Sequence, residues 1–362
     1  TGTGAALVPV GHFPALNKLG TLDPCDKSIP AASNQFSALF VLDAETGALL
    51  KGLRTDNALT GASVKSFGLA SPILGDYQKD QIADVAFAGD LMGNVWRFDL
   101  TANSPSGWKT DLLFKGAVDS NGEPEQPITS SPRLFPDPTT GRFMVVFGTG
   151  RYLGLSDRNL NSLGTQAMYG VREQGVSDRG GNFPSAYYPV TAGDLQKQDL
   201  TEDTSSGTRF LTDKSLPGVD SSGNVLRGWA VDLDVPDGER IVVRPQALPS
   251  VGLAVFSTLI PGGNDPCNPG REGAIMVVDA ATGGAPNDTL DSLAYSTGVA
   301  IPSDTHVTGK RVKGVPQGGR DIPTLTPIGG GKMFIPGLPD LPPLNIQPIY
   351  HRGSWRVLND VN

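Results

Sequence analysis

Asp84-Val85-Ala86-Phe87-Ala88-Gly89-Asp90-Leu91-Met92-Gly93-Asn94-Val95-Trp96-Arg97-Phe98-Asp99-Leu100 reads as two short strands joined by a tight turn. Side chains alternate across a strand, so Trp96, Phe98 and Leu100 fall on one face and Val95, Arg97 and Asp99 on the other. The first of these faces is built to be buried.

The same grammar recurs on either side. Ala38-Leu39-Phe40-Val41-Leu42-Asp43 runs through Ala44-Glu45-Thr46-Gly47 into Ala48-Leu49-Leu50, and a near copy stands at Ala274 to Gly284. In each, an Asp can accept turn amides while Gly supplies positive φ, the chemistry of a β-hairpin turn. Phe143–Phe147, Gly228–Leu233, Arg240–Val243 and Gly252–Ser257 are further short apolar runs bounded by Gly, Pro, Asp or Asn. Asp43 and Asp90 are 47 residues apart, close to the about 40 to 50 residues of one four-stranded propeller blade. The predicted fold is all-β, a modified β-propeller of about seven blades with irregular insertions. It forms a single domain over residues 1–362, less regular at 1–35 and 323–362, with an insertion expected at 156–215.

Composition agrees. With 46 Gly and 30 Pro among 362 residues, tight turns outweigh long helices. A formal charge of −8, without any block of Lys or Arg, excludes the concentrated positive field that nucleic acid requires. No run approaches the roughly 20 apolar residues of a membrane helix. The chain starts at Thr1 rather than Met, as a processed or excised piece would, so its start leaves the compartment open. Cys25 and Cys267 sit in polar, loop-like settings, and pairing across the fold, two free thiols and pairing with a segment outside this sequence all fit.

Asp76-Tyr77-Gln78-Lys79-Asp80-Gln81-Ile82-Ala83-Asp84 is the most informative polar stretch. Alternate positions of a tight loop can turn oxygens inward, so Asp76, Gln78, Asp80, the Ile82 carbonyl and Asp84 form a candidate cation site. Ca²⁺, which accepts about six to eight oxygens in irregular geometry, suits it better than Mg²⁺. Gln78 is neutral, which leaves three carboxylates, and Gln81 stands where a Gly would ease the sharp turn. Asp119-Ser120-Asn121-Gly122 and Asp220-Ser221-Ser222-Gly223-Asn224 lack further acidic ligands and read as plain turns.

Catalysis has no visible foothold. His12, His306 and His351 are isolated, and no Gly-x-Ser-x-Gly, Cys-x-x-Cys or His-Glu-x-x-His motif occurs. Trp96, Phe98 and Trp229 recur at strand period beside aliphatic residues, which points to core packing rather than ligand stacking.

The stretch from Ser71 to Leu100 resembles the signature blade of the PilY family of type IV pilus proteins. In the family's order there follow Pro127 to Pro132, Val146-Phe147-Gly148-Thr149-Gly150-Arg151-Tyr152-Leu153, and Arg227 to Leu233. Gly238 to Val242, Asp265-Pro266-Cys267 and Gly353 to Leu358 complete the series. The resemblance, from about Phe36 to the end, implies a modified seven-bladed propeller and a nine-residue calcium loop on Asp76, Gln78, Asp80, Ile82 and Asp84. In that family the propeller follows a variable N-terminal region, often similar to a von Willebrand factor A domain, which this chain lacks.

The implied role is in pilus biogenesis, supporting extension against retraction, twitching motility and surface adhesion. The implied partners are minor and major pilins and a host or abiotic surface. The implied location is extracytoplasmic, at the bacterial surface or pilus tip by way of the periplasm and outer membrane. Two other readings compete with this non-enzymatic one. A quinoprotein-type dehydrogenase also repeats Asp-Ala-x-Thr-Gly turns, yet here the turn occurs only twice and no adjacent Cys-Cys pair is present. A lectin-like receptor-binding propeller would use the same exposed loops; no Arg-Gly-Asp tripeptide favours an integrin-type contact.

Overall fold

The computed structural model describes residues 5–10, 36–57, 64–137, 142–161, 163–173, 189–216, 225–236, 238–249, 251–261, 272–286 and 298–313. Short stretches at 223, 290–291, 294–295, 326–329, 332–334 and 344–345 are also described. Cys25, Cys267, His12, His351 and, apart from Gly223, the Asp220 turn lie outside these residues, as does the motif around Trp355.

The fold is all-β, with helical backbone confined to short turns, and no helix among the described residues is long and apolar enough to cross a membrane. Strands β1 (Ala5–Val10), β2 (Ala38–Asp43) and β3 (Leu49–Arg54) form an antiparallel sheet in chain order. The next four strands, β4 (Ile73–Gly75), β5 (Val85–Gly89), β6 (Val95–Asp99) and β7 (Lys109–Phe114), make an antiparallel meander, the plain form of a propeller blade.

The third sheet begins as another meander with β8 (Arg133–Asp137), β9 (Arg142–Gly148) and β10 (Ala167–Arg172). Before its last blade strand the chain inserts β11 (Gln196–Gln198), β12 (Leu200–Asp203) and β13 (Thr208–Thr212); it then returns as β14 (Gly228–Asp232). β14 pairs with β10, and β11 adds in parallel outside it. Strands β15 (Gln246–Leu248), β16 (Leu253–Ser257), β17 (Glu272–Asp279) and β18 (Thr305–Lys313) build the fourth sheet, which β13 and β12 extend beyond β18. A small fifth sheet holds β19 (Thr326–Gly329), β20 (Lys332–Phe334) and β21 (Leu344–Asn345), within the Pro- and Gly-rich tail. The described residues thus form five sheets of propeller type.

Burial follows the stacking of the sheets. Trp96 and Phe98 of β6 pack with Leu39, Val41 and Leu53 of the first sheet. Val95, Val85 and Phe87 pack the other way, against Phe147, Tyr169 and Ala230 of the third. Both faces of β6 are therefore buried, where alternation alone marks only the Trp96 face, because a blade is covered on each side by its neighbours. Arg97 is drawn inside with its face. The opposite face of the third sheet, carrying Trp229, Met144 and Val146, meets Phe256, Met276 and Val278 of the fourth. Trp96, Phe98 and Trp229 are fully buried, as core residues should be.

Two sheet joints repeat in register. Gly89 closes β5 against Ile128, and Gly148 closes β9 against Ile241; a Cβ on either glycine would overlap the side chain of that isoleucine. Ile128 donates its N–H to the Asp90 carbonyl (2.9 Å), and Ile241 to the Thr149 carbonyl (2.8 Å). This corrects the expected strand at Arg240–Val243. Arg240 donates to the carbonyl of Leu259, two residues after β16 (2.9 Å), while Ile241 donates to that of Thr149, the residue after β9, so the segment forms an isolated bridge between the ends of two strands rather than a strand of its own.

Candidate functional site

Loop 76–84 connects β4 to β5. Asp84 N–H donates to the Gly75 carbonyl (2.9 Å) and closes its neck. Asp76 organises the interior. Its Oδ1 accepts the amides of Gln78 (3.0 Å), Lys79 (2.6 Å) and Asp80 (3.3 Å), and its Oδ2 accepts that of Gln81 (2.7 Å). Burial acts upward on its pKa, but the amides of Gln81, Lys79, Asp80 and Gln78 outweigh it and hold the carboxyl below its ordinary value. Asp80 Oδ1 accepts the Ile82 amide (3.0 Å), and buried Asp84 accepts the Tyr77 amide on Oδ2 (2.8 Å). Lys79 and Gln81 take left-handed backbone, at φ 57° and 71°. The sharp turn expected at the sixth position is therefore made, by Gln81, without a glycine.

All five sequence-predicted ligands lie on this loop. The Ile82 side chain points into solvent, which leaves its carbonyl as the relevant oxygen. Among the described residues, no three carboxylate, histidine or cysteine side chains are gathered as a cation cage would need. The loop has the winding and the oxygen donors that Ca²⁺ favours, while the carboxylate of Asp76 is engaged by the loop's own amides. The Asp119 turn matches its plain reading, with Oδ1 accepting the amides of Asn121 (2.8 Å) and Glu123 (2.9 Å).

The loop also has a buried underside. Tyr77 stacks on Phe143 of β9, ring centroids 5.4 Å apart, and the Arg142 guanidinium lies 4.1 Å from the Tyr77 centroid. The Tyr77 hydroxyl donates to Glu173 Oε1, which also accepts from Arg97 Nε at 2.7 Å. Arg97 further donates to the Tyr77 oxygen (3.2 Å) and to Asp99 (3.0 Å). Burial, reinforced by the Glu173 charge, pushes the Tyr77 phenol well up. Burial opposes the Arg97 charge, yet Glu173, Tyr77 and Asp99 hold it firmly protonated. Only one sign of this cluster shows in sequence, a lone Arg inside the apolar run of β6.

Propeller-type sheets packed face to face, with an acidic loop before the second strand of a blade, define a class of β-propeller proteins. The model of the PilY1 beta-propeller domain matches residues 25–214. The chain is 32% identical over 302 residues to the type IV pilus biogenesis factor PilY1 of Pseudomonas aeruginosa, covering 75% of this chain and 25% of that protein. A PilY1 homologue of Xylella fastidiosa is 29% identical over 275 residues, 70% of this chain and 17% of that one. The crystal structure of the Pseudomonas aeruginosa PilY1 C-terminal domain superposes with a TM-score of 0.63 at 26% identity, covering 88% of this chain and 67% of that one. This chain belongs to the PilY1 β-propeller family. It spans about a quarter of the length of the Pseudomonas relative.

Proposed function

We propose that this propeller is a calcium-tuned module of type IV pilus biogenesis, acting outside the cytoplasm at the pilus tip or cell surface. It supports extension against retraction and attachment to a host or abiotic surface, with minor and major pilins as partners. The supporting observation is its similarity across 302 residues to a pilus biogenesis factor. Binding and assembly, rather than catalysis, are its work.

Asp76, Gln78, Asp80, Asp84 and the Ile82 carbonyl would hold Ca²⁺, which would supply a fixed positive charge at the loop centre. What favours this reading over a plain acidic turn is the density of oxygens on one short loop, with Asp76, Gln78, Asp80, Ile82 and Asp84 at alternate positions. A ligand that binds only the folded state stabilises it by about 2.7 kcal/mol at a hundred times its Kd.

Calorimetry on the chelated protein should give saturable calcium binding and a rise in melting temperature, both lost in Asp84→Ala. A shift of equal size in the variant would refute the site. In cells lacking their own PilY1-type factor, that factor carrying this propeller with Asp84→Ala should restore surface pili whose number no longer responds to calcium. An unaltered calcium response would remove the tuning from this loop.

A further inference from the structure

Tyr77 lies inside the candidate loop, yet its side chain leaves the loop for a different sheet. We infer that Tyr77 is a latch that couples order in loop 76–84 to the joint between the second and third sheets. This deepens the calcium reading, on which it rests only for the identity of the agent that orders the loop.

The two ends of Tyr77 are held by different parts of the fold. Its N–H is bound by Asp84, a candidate ligand (2.8 Å), and its hydroxyl by Glu173, the residue immediately after β10. Glu173 is fully buried, and its own N–H is held by the Phe143 carbonyl of β9 (2.8 Å). Its Oε2 has no hydrogen-bond partner among the described residues, so the carboxylate depends on what reaches Oε1. The donors there, the Tyr77 hydroxyl and Arg97 Nε, both come from the second sheet and its loop. Arg97 stands at the middle of β6, fixed by the ladder on both sides. Tyr77 belongs to a loop and can withdraw when that loop opens.

A buried carboxylate losing one of its two donors in a low-dielectric interior is strongly disfavoured. Ordering the loop therefore tightens the grip of the second sheet on the end of β10. Coupling between two sites is reciprocal, so a partner that presses these sheets together raises the affinity of the loop for its cation, and one that parts them lowers it. Asp84 and Tyr77 make the loop a sensor of the joint as well as its fastener.

The test is amide hydrogen exchange on the full chain, with and without calcium chloride, in wild type and Tyr77→Phe, which keeps the ring stack and removes the hydroxyl. In wild type, calcium should slow exchange about tenfold both in the loop and at Arg172–Glu173. In Tyr77→Phe the loop should still be slowed while Arg172–Glu173 no longer responds. Equal slowing at Arg172–Glu173 in both proteins would overturn the latch, as would a wild-type loop that is protected while Arg172–Glu173 is unchanged. If calcium leaves the wild-type loop unaltered, the calcium reading fails and the metal-free arm decides. There, exchange at Arg172–Glu173 about tenfold faster in Tyr77→Phe upholds the latch, and an unchanged rate overturns it. Glu173→Gln, read at the loop amides, serves the same comparison should Tyr77→Phe fail to fold.

Discussion

Gln81 holds a left-handed backbone at φ 71° with its side chain in solvent. A residue with a Cβ pays about 1–2 kcal/mol there, partly offset against glycine by the greater chain entropy of glycine. Gln81→Gly should therefore stabilise the protein by about 0.5–1 kcal/mol, read as a higher urea midpoint, and should tighten calcium binding because the winding is relaxed beforehand. A lower midpoint would mean that the Gln81 side chain carries an interaction of its own. Turn-opening aspartates show how far one residue type is set by its surroundings. The amide and hydroxyl of Thr46 hold half-buried Asp43 below its usual pKa. Burial pushes Asp90 up to about 6 against hydrogen bonds from Trp96 and Asn94.

Two turns at the scale of the element separate local from tertiary effects. The turn after β2 and the turn after β17 share the sequence Asp-Ala-x-Thr-Gly, and in both the Asp Oδ1 accepts the amides two and three residues on. Gly47 and Gly283 both stand at φ 71°. Beyond the turns the chains part. β2 turns into its partner β3, whereas Ala285 donates to the Thr212 carbonyl at the end of β13 (3.2 Å). A Cβ at Gly47 meets nothing within 4 Å, while one at Gly283 would overlap the Trp229 ring. The Trp229 indole N–H also donates to the Ala280 carbonyl (2.9 Å). Gly47→Ala should cost only the left-handed strain, about 1–2 kcal/mol. Gly283→Ala should cost about 2 kcal/mol more, since overpacking adds to that strain. Parallel urea melts of the two variants measure the difference, and equal losses would show that Trp229 yields freely.

Over the whole molecule, the insertion in the third sheet adds a further tie to the fourth beyond their shared core. Hairpin β12–β13 departs after β10 and pairs with β18, so one blade lends its neighbour two strands. At this seam Arg209 is fully buried, with a two-point pair to Glu239 (2.8 and 2.9 Å) and a third bond to Glu202 (2.8 Å). Glu239 comes from the link between the two sheets and also accepts the Thr258 hydroxyl, while Arg311 of β18 holds Glu202 at 2.9 Å. Removing one charge from a buried pair leaves the other uncompensated. Glu239→Gln should lower stability by about 3 kcal/mol in thermal or urea unfolding. The double variant Glu239→Leu/Arg209→Met should recover part of that loss. A neutral Glu239→Gln would mean that water or backbone takes over the guanidinium.

The features legible in the chain alone are local. The Asp-Ala-x-Thr-Gly turns, the hairpin at Asp90, the apolar runs of β2, β5, β6, β9, β14 and β16, and the position of the acidic loop rest on residues a few places apart. Their hydrogen bonds and strand alternation are fixed by neighbours along the chain, and the burial of Trp96 and Trp229 follows from that alternation. Tertiary structure decided the rest. Strands β11, β12 and β13 add to the edges of β14 and β18, and β13 is held there by Phe210 and Leu211, which enter cores built with the fourth sheet. Arg97 lies inside because a third sheet covers its face, and Arg240 and Ile241 are held by the segments that follow β16 and β9. Tyr77 reaches Glu173 across 96 positions of sequence. Such contacts depend on which sheets stack, and the energy that selects the stacking is spread over the whole core rather than written at either residue.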